Sequence, residues 1–565
     1  MVGDAGERTV LSRVMLRFSR LDPQLLDPVS APGVFNATLN AHGTYTTEHF
    51  VLRLSPRVHE LVDAITKRET DGHDTADLMQ AYSVYLHETI HWWQHMGSSA
   101  GLMLSLAYPA QVYGSMVFLQ QFGRGAGCVK PVKTWAHRAM VAGATHADPT
   151  LAAANIAVNN ALDIDFYKKI ALSPKHALEM RHTPYFESVG HSYLKSYGET
   201  VFAIIGSCDL REGQLPNPAS WDPHILRLRA EHAEGFVHGS MPPIAEVGLA
   251  EIFEGQARFC QLQFLASSGG PELLESYRKK GQFGPIYVAA FELFLQLLGA
   301  VWPERYDDPL VGLFLLICDL AINPTRGYPL EIESFEDFIC DVDPGARFTR
   351  LCLAAAEAPE LQKAIQCFSA VEYEFVASRL ADQCGYDYPF AGLDAIVGLF
   401  GDGGPVDALL EEHRTFGFGP VNMPVRVIFS HHLALARDKR ARPEMFCWPG
   451  MWLAGERCTD EIQNTFEAHL SLFQDRGDTE QIFPRAMPGR STENIKGLVN
   501  GFFSGMLAFD LALQWTLFPG PFRYDFKWLT GKEENRELIA LAKRQFEHYY
   551  EVNPDAVEVI NHADS

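Results

Sequence analysis

The stretch Val84-Tyr85-Leu86-His87-Glu88-Thr89-Ile90-His91-Trp92-Trp93 decides the reading of this chain. Positions i and i+4 of an α-helix lie about 40° apart around the axis, so His87 and His91 would project from one face and offer two imidazole nitrogens to one ion. Glu88 follows the first of them, where a carboxylate can take a proton from a metal-bound water. Between Ala81 and Met96 no other residue carries a formal charge, and Leu86, Ile90 and Trp93 are apolar at near-helical spacing. That pattern predicts a helix packed inside a domain. Burying two imidazoles and a carboxylate without partners costs several kcal/mol, and a metal is one of the few partners that satisfies all three.

An uncharged-flanked His-Glu-x-x-His helix resembles the shared signature of the zincin metallopeptidases, over about twenty residues of this chain. The resemblance implies a Zn2+ cofactor, a fold of the α+β class that is predominantly helical, and a zincin-like catalytic core with a small N-terminal sheet. The metzincin branch needs a glycine and a histidine where this chain has Gln94 and Gly97, which excludes it. The gluzincin branch takes its third ligand from a glutamate on a later helix. The best segment is Ala245-Glu246-Val247-Gly248-Leu249-Ala250-Glu251-Ile252-Phe253-Glu254-Gly255-Gln256-Ala257-Arg258-Phe259.

Two glutamates compete there. On a helical wheel Leu249, Phe253, Ala257, Cys260 and Phe264 form the buried stripe; Glu254 falls nearer to it, and Glu251 falls beside Arg258. Glu254 is favoured as the third ligand, with Glu251 in support, and the Glu-Gly-x-Ala run resembles gluzincin third-ligand segments. The rival reading of Glu254 is an exposed carboxylate paired with Arg258 one turn on. Small neighbours such as Gly255 are expected to let this helix approach the metal helix closely. Roughly 160 residues separate His91 from Glu254, so the interval should form an insertion, and its acids Glu187, Glu199, Glu231 and Glu234 remain alternative ligands. His95 continues the i+4 series; its simpler role is a cation at the helix C-terminus, with Gly97 ending the helix.

A chain of 565 residues with 47% hydrophobic residues exceeds the usual size of one core. Three parts are expected: residues 1–75 as a strand-rich part of the catalytic core, 76–330 as the helical core with an insertion at about 100–240, and 331–565 as a helical accessory domain. The strand candidates are residues 13–18 and 44–54. Helix breaks are expected at Pro109, Pro131, Pro149 and the proline-rich stretch 216–223, and a linker at residues 401–405. Residues 291–302 and 310–322 read as a packed helical hairpin, and residues 497–522 as a buried helix whose Asn500, Asp510 and Gln514 disfavour a membrane span.

A formal net charge of −23 argues against nucleic acid or an anionic membrane as partner. The acidic N-terminus has no apolar signal core, and ten scattered cysteines without a Cys-x-x-Cys pair suit a reducing compartment, so the expected location is the cytoplasm.

With His87, His91 and Glu254 as ligands a fourth position stays open for water, as in catalytic sites. The expected activity is a zinc-dependent hydrolase, a metallopeptidase acting on a peptide or protein substrate with Glu88 as general base. The same ligands would serve a hydrolase of a non-peptide amide or ester, and a zincin fold kept for binding alone is a further alternative. The oxyanion donor stays open between Tyr328 with Arg326 and the pair His431-His432. Asp319, within an apolar run, is a candidate to orient a ligand imidazole, with a backbone or arginine partner equally open.

Overall fold

The computed structural model describes residues 41–560 except 241, 243, 270–273, 280–282, 478, 480, 488 and 532–534. The strand candidate at residues 13–18 lies outside them. The described chain is mostly helical with a small four-stranded sheet.

Residues 44–54 divide into two strands, β1 (Gly43–Thr46) and β2 (Val51–Leu54), paired antiparallel with Thr46 opposite Val51. Phe50, at φ 59, turns the chain between them. The sheet is not purely N-terminal. β2 pairs in parallel with β3 (Phe473–Gln474), which pairs antiparallel with β4 (Phe483–Pro484), so half of the strands come from the far end of the sequence. Asp475, wholly buried, fastens this junction by accepting from the Leu54 N–H at 3.2 Å and from His59 Nε2 at 2.6 Å.

The elements around the site follow in order. Helix α1 (Pro56–Lys67) packs on α2 (Thr75–Gly97), which carries His87 and His91. Asp74 caps α2 through the Ala76 N–H, and Asp77 in its first turn complements the helix dipole. From Leu78 to Gly97 every residue of α2 is buried, so the helix has no solvent face and must satisfy its polar groups inside. Ser98 joins it to α3 (Ser99–Ala126), donating to the Gln94 carbonyl at 2.7 Å and accepting from Gly101 N at 2.9 Å. A β-carbon at Gly101 would lie 2.0 Å from that carbonyl, so only glycine permits so sharp a corner.

Pro109 sits inside α3 and does not break it, contrary to the sequence expectation. α3 is long and apolar enough to cross a membrane, and 67% of its apolar window is buried inside the fold. It packs with α4 (Pro149–Leu172) and α5 (Val189–Ser207), which also lie in the interval between the two halves of the site. Pro149 opens α4 as its first residue, where the missing N–H costs nothing.

α6 (Leu249–Gly269) carries Glu254 and packs along α2. The expected hairpin is present as α7 (Pro285–Leu298) and α8 (Pro309–Ile322), and both helices pack on α6. Gly255 faces this pair: a β-carbon there would meet Phe314 at 3.3 Å and the Tyr287 carbonyl at 3.6 Å. The close approach it permits is therefore to α7 and α8 and not to α2.

The segment after residue 331 is largely helical and packs directly on the metal-helix candidate. α9 (Met423–Ala441) lies against α2 and α3; His432 Nδ1 meets the Met96 carbonyl at 3.0 Å, and Leu435 sits 3.5 Å from the β-carbon position of Gly97. Trp93 Nε1 donates to the His469 carbonyl at 2.9 Å. Residues 497–517 belong to α10 (Thr492–Leu517), which packs on α9, as a buried helix should. All ten cysteines are free, and six are buried.

Candidate metal centre

His87 and His91 leave α2 on one face, and Glu254 of α6 meets them. Their donor atoms form a triangle: His87 Nε2 to His91 Nε2 is 3.1 Å, and Glu254 Oε2 lies 3.4 Å from each. Ligand bonds of about 2.0–2.1 Å at tetrahedral angles place ligand atoms about 3.3 Å apart, so this triangle has the size of one face of a zinc tetrahedron. Among the described residues it is the only group of three such side chains with donor atoms within 4.8 Å of one another. The histidines are buried, while Glu254 keeps 30% of its side chain exposed, so the centre opens on the glutamate side.

The electrostatics show a site arranged for positive charge. Burial alone would raise the Glu254 carboxyl, yet His91 and His87 beside it hold it far below the usual carboxylate range. Burial works against a proton on His91, but Glu254 and Glu88 override it and raise the imidazole to about 9. His87 is pushed down to about 4, chiefly by burial and despite Glu254. The Glu254 carboxylate thus favours positive charge beside it.

Glu88 is 5% exposed and is pushed up to about 8, mainly by burial. The Tyr45 backbone N–H donates to it, and a β-carbon at Gly43 would lie 2.7 Å from its Cγ and Oε1. Strand β1 thus presses along the base, and glycine at position 43 is what allows it.

Gln94 supports His91. Its Oε1 lies 2.8 Å from His91 Nδ1, and its Nε2 donates to the Phe253 carbonyl and to Gln256 Oε1, both at 2.9 Å. His87 Nδ1 is buried and has no hydrogen-bond partner among the described residues. On the open side stands Tyr287, in the first turn of α7, with its ring centroid 6.0 Å from that of His87. The Arg258 guanidinium lies 3.9 Å over the Tyr287 ring and donates to Gln261 Oε1 at 3.1 Å. Burial raises the Tyr287 hydroxyl above its ordinary value, which keeps it a neutral donor.

Other sequence candidates lie elsewhere. Glu251 caps its own helix by accepting from the Gly248 N–H at 2.9 Å. Glu187 pairs with Arg229, Glu199 with Lys195 and Glu231 with Arg227, and Glu234 is exposed. His95 is not a cation at the helix end. It is buried between Tyr45 and Phe253 and pushed down to about 3 by burial, then by His91. Arg258 is 2% exposed, so the picture of a solvent-facing Glu254–Arg258 pair does not describe it.

Tyr328 packs on His432, and Arg326 pairs with Glu333, Asp341 and Asp387. His431 packs on Trp92 and His413. The partners of these side chains thus lie outside the set of His87, Glu88, His91 and Glu254. Asp319 does not orient a ligand imidazole: it binds Lys439 Nζ at 2.5 Å and accepts from Tyr373 at 2.8 Å. Arg258, Tyr287 and Gln94 reach the site through tertiary packing, which local spacing does not show; the one sequence hint is that Gln94 continues the His91 face at i+3.

Compared with protein-family models, with curated proteins and with solved structures, the chain matches none. The functional reading therefore rests on the site itself.

Proposed function

We propose that His87, His91 and Glu254 hold a zinc ion and that the chain is a zinc-dependent hydrolase of the zincin type, acting on peptide bonds. The observation that carries this reading is the triangle of donor atoms with edges of 3.1 and 3.4 Å, with Glu88 on the adjacent turn. The donor set, two neutral imidazoles and one carboxylate, suits zinc and leaves a fourth position open. When bound, zinc would supply Lewis-acid polarisation of the scissile carbonyl and bring the pKa of a coordinated water to about 7.

The chain's own groups divide the remaining work. Glu88, shielded from solvent and held by the Tyr45 N–H, takes the proton of the attacking water and delivers it to the leaving amine. Tyr287, neutral and braced by Arg258, stands on the open side as a donor to the oxyanion. A peptide is favoured over another amide or an ester because β1 is an edge strand, paired only with β2 among the described residues and in contact with Glu88. An extended backbone can add to that edge, which brings its carbonyls past the base.

The test is elemental analysis of the wild type beside His87→Ala and Glu254→Ala, followed by digestion of a complex peptide mixture with Glu88→Gln as control. The expected result is one zinc per chain, lost in both ligand variants with the fold intact, and cleavage that Glu88→Gln abolishes while keeping the zinc. A wild type that stays metal-free after remetallation removes the proposal.

A further inference from the structure

We propose that Gln94 is the positioning residue of this centre, fixing which nitrogen of His91 faces the metal and holding Glu254 in register with it. The inference rests on the metal-centre reading above. The hydrogen-bond roles around Gln94 are forced. The Phe253 carbonyl can only accept, so the Gln94 atom 2.9 Å away must be the amide nitrogen. The second hydrogen of that nitrogen goes to Gln256 Oε1, also at 2.9 Å. Both amide hydrogens are then committed, and the atom 2.8 Å from His91 Nδ1 must be the amide oxygen.

An oxygen there accepts, so Nδ1 of His91 carries a hydrogen, and Nε2, the atom in the donor triangle, is the nitrogen left to give its lone pair to a metal. No other tautomer presents a ligand to the triangle while satisfying Gln94. The same amide grips the backbone of Phe253, the residue before Glu254. One side chain therefore sets the orientation of one ligand and the position of another across the α2–α6 interface. Gln94 is buried, which shields these bonds from exchange with water.

The second imidazole makes this support more consequential. Among the described residues His87 Nδ1 has no hydrogen-bond partner, so of the two histidines only His91 is oriented by such a bond there. Orienting partners of metal-bound histidines are commonly worth about 10–100-fold in metal affinity. Gln94 also walls a cavity of about 30 Å³ with Gln256, Asp319 and Lys439, which gives a replacement side chain room to settle.

Zinc affinity, measured by chelator competition on the full chain, tests the proposal with Gln94→Met and Gln94→Glu, alongside thermal melting of the metal-free forms. Methionine keeps the volume and removes every hydrogen bond; glutamate keeps an acceptor for His91 but gives up the donors to the Phe253 carbonyl and Gln256. The expected result is a loss of about 10–100-fold in zinc affinity for Gln94→Met and a clearly smaller loss for Gln94→Glu. The Co2+-substituted proteins should show a changed ligand-field spectrum for Gln94→Met alone. A folded Gln94→Met with wild-type zinc affinity and an unchanged Co2+ spectrum overturns the role of Gln94 while leaving the metal centre standing. Equal loss in both variants overturns the tautomer argument, because an acceptor would then have made no difference. A wild type that binds no zinc sinks the underlying reading instead.

Discussion

Gly43 and Glu88 are packed so closely that a β-carbon on the first would lie 2.7 Å from both Cγ and Oε1 of the second. The edge strand and the candidate base are thus one mechanical unit. Gly43→Ala forces either β1 outward or Glu88 off its rotamer. Overpacking of this kind typically costs about 1–3 kcal/mol. The expected outcome is a lower melting temperature and a sharp drop in kcat, with zinc content unchanged because the ligands stand on α2 and α6. Unaltered turnover would show that β1 and Glu88 act independently.

Tyr287 should separate binding from chemistry. Tyr287→Phe keeps the ring under Arg258 and deletes the hydroxyl, so KM and zinc content are expected to hold while kcat falls by about 10²–10³, the usual size of a lost oxyanion donor. A change confined to KM would assign the residue to substrate binding.

Asp319 and Lys439 form a buried pair at 2.5 Å, braced by Tyr373. Asp319→Ala leaves the lysine buried without its counterion, which commonly costs about 3–5 kcal/mol. A shifted urea midpoint is expected, with the zinc-to-protein ratio of the folded fraction intact. Loss of zinc from a folded variant would restore the idea that Asp319 serves a ligand.

His413 and His431 predict the acid sensitivity of the fold. Their ring centroids are 4.3 Å apart; burial pushes His413 down to about 3 and His431 well below its ordinary value. Arg490, His469 and Arg437 reinforce the shift at His413 and only Asp438 opposes it, while Arg490 and His469 also act on His431. The unfolded chain then takes up protons near pH 6.5 that the folded chain refuses, so stability falls as pH drops below that value. Each histidine contributes about 1.4 kcal/mol per pH unit until its folded pKa is reached. Urea midpoints measured from pH 7.5 to 5 should show this slope, and His413→Leu should flatten it. An identical slope in the variant would count against this origin.

The helix of the candidate metal centre was legible because its information is local: the i, i+4 spacing of His87 and His91 is converted to one face by helix geometry alone, and the uncharged flanks mark it as buried. Glu254 was legible because the apolar stripe of α6 orients it. The sheet was legible only in its first hairpin. β3 and β4 have two residues each, too short for an alternating pattern, and β3 joins β2 by a pairing across more than 400 residues, fastened by buried Asp475. Tyr287 and Arg258 meet across two helices. Asp319 was rightly expected to need a partner, but Lys439 lies 120 residues away, beyond any local rule. Pro109 misled for a related reason: tertiary packing on three sides outweighs one missing backbone hydrogen bond.

The contacts from Trp93 to the His469 carbonyl, from His432 to the Met96 carbonyl and from β3 to β2 all bring late sequence onto the earliest part of the site. A nascent chain that has emerged only to residue 330 already carries His87, Glu88, His91 and Glu254, yet it lacks α9 and the second half of the sheet that enclose them. The enclosure of the candidate site is therefore completed only by sequence made late in synthesis.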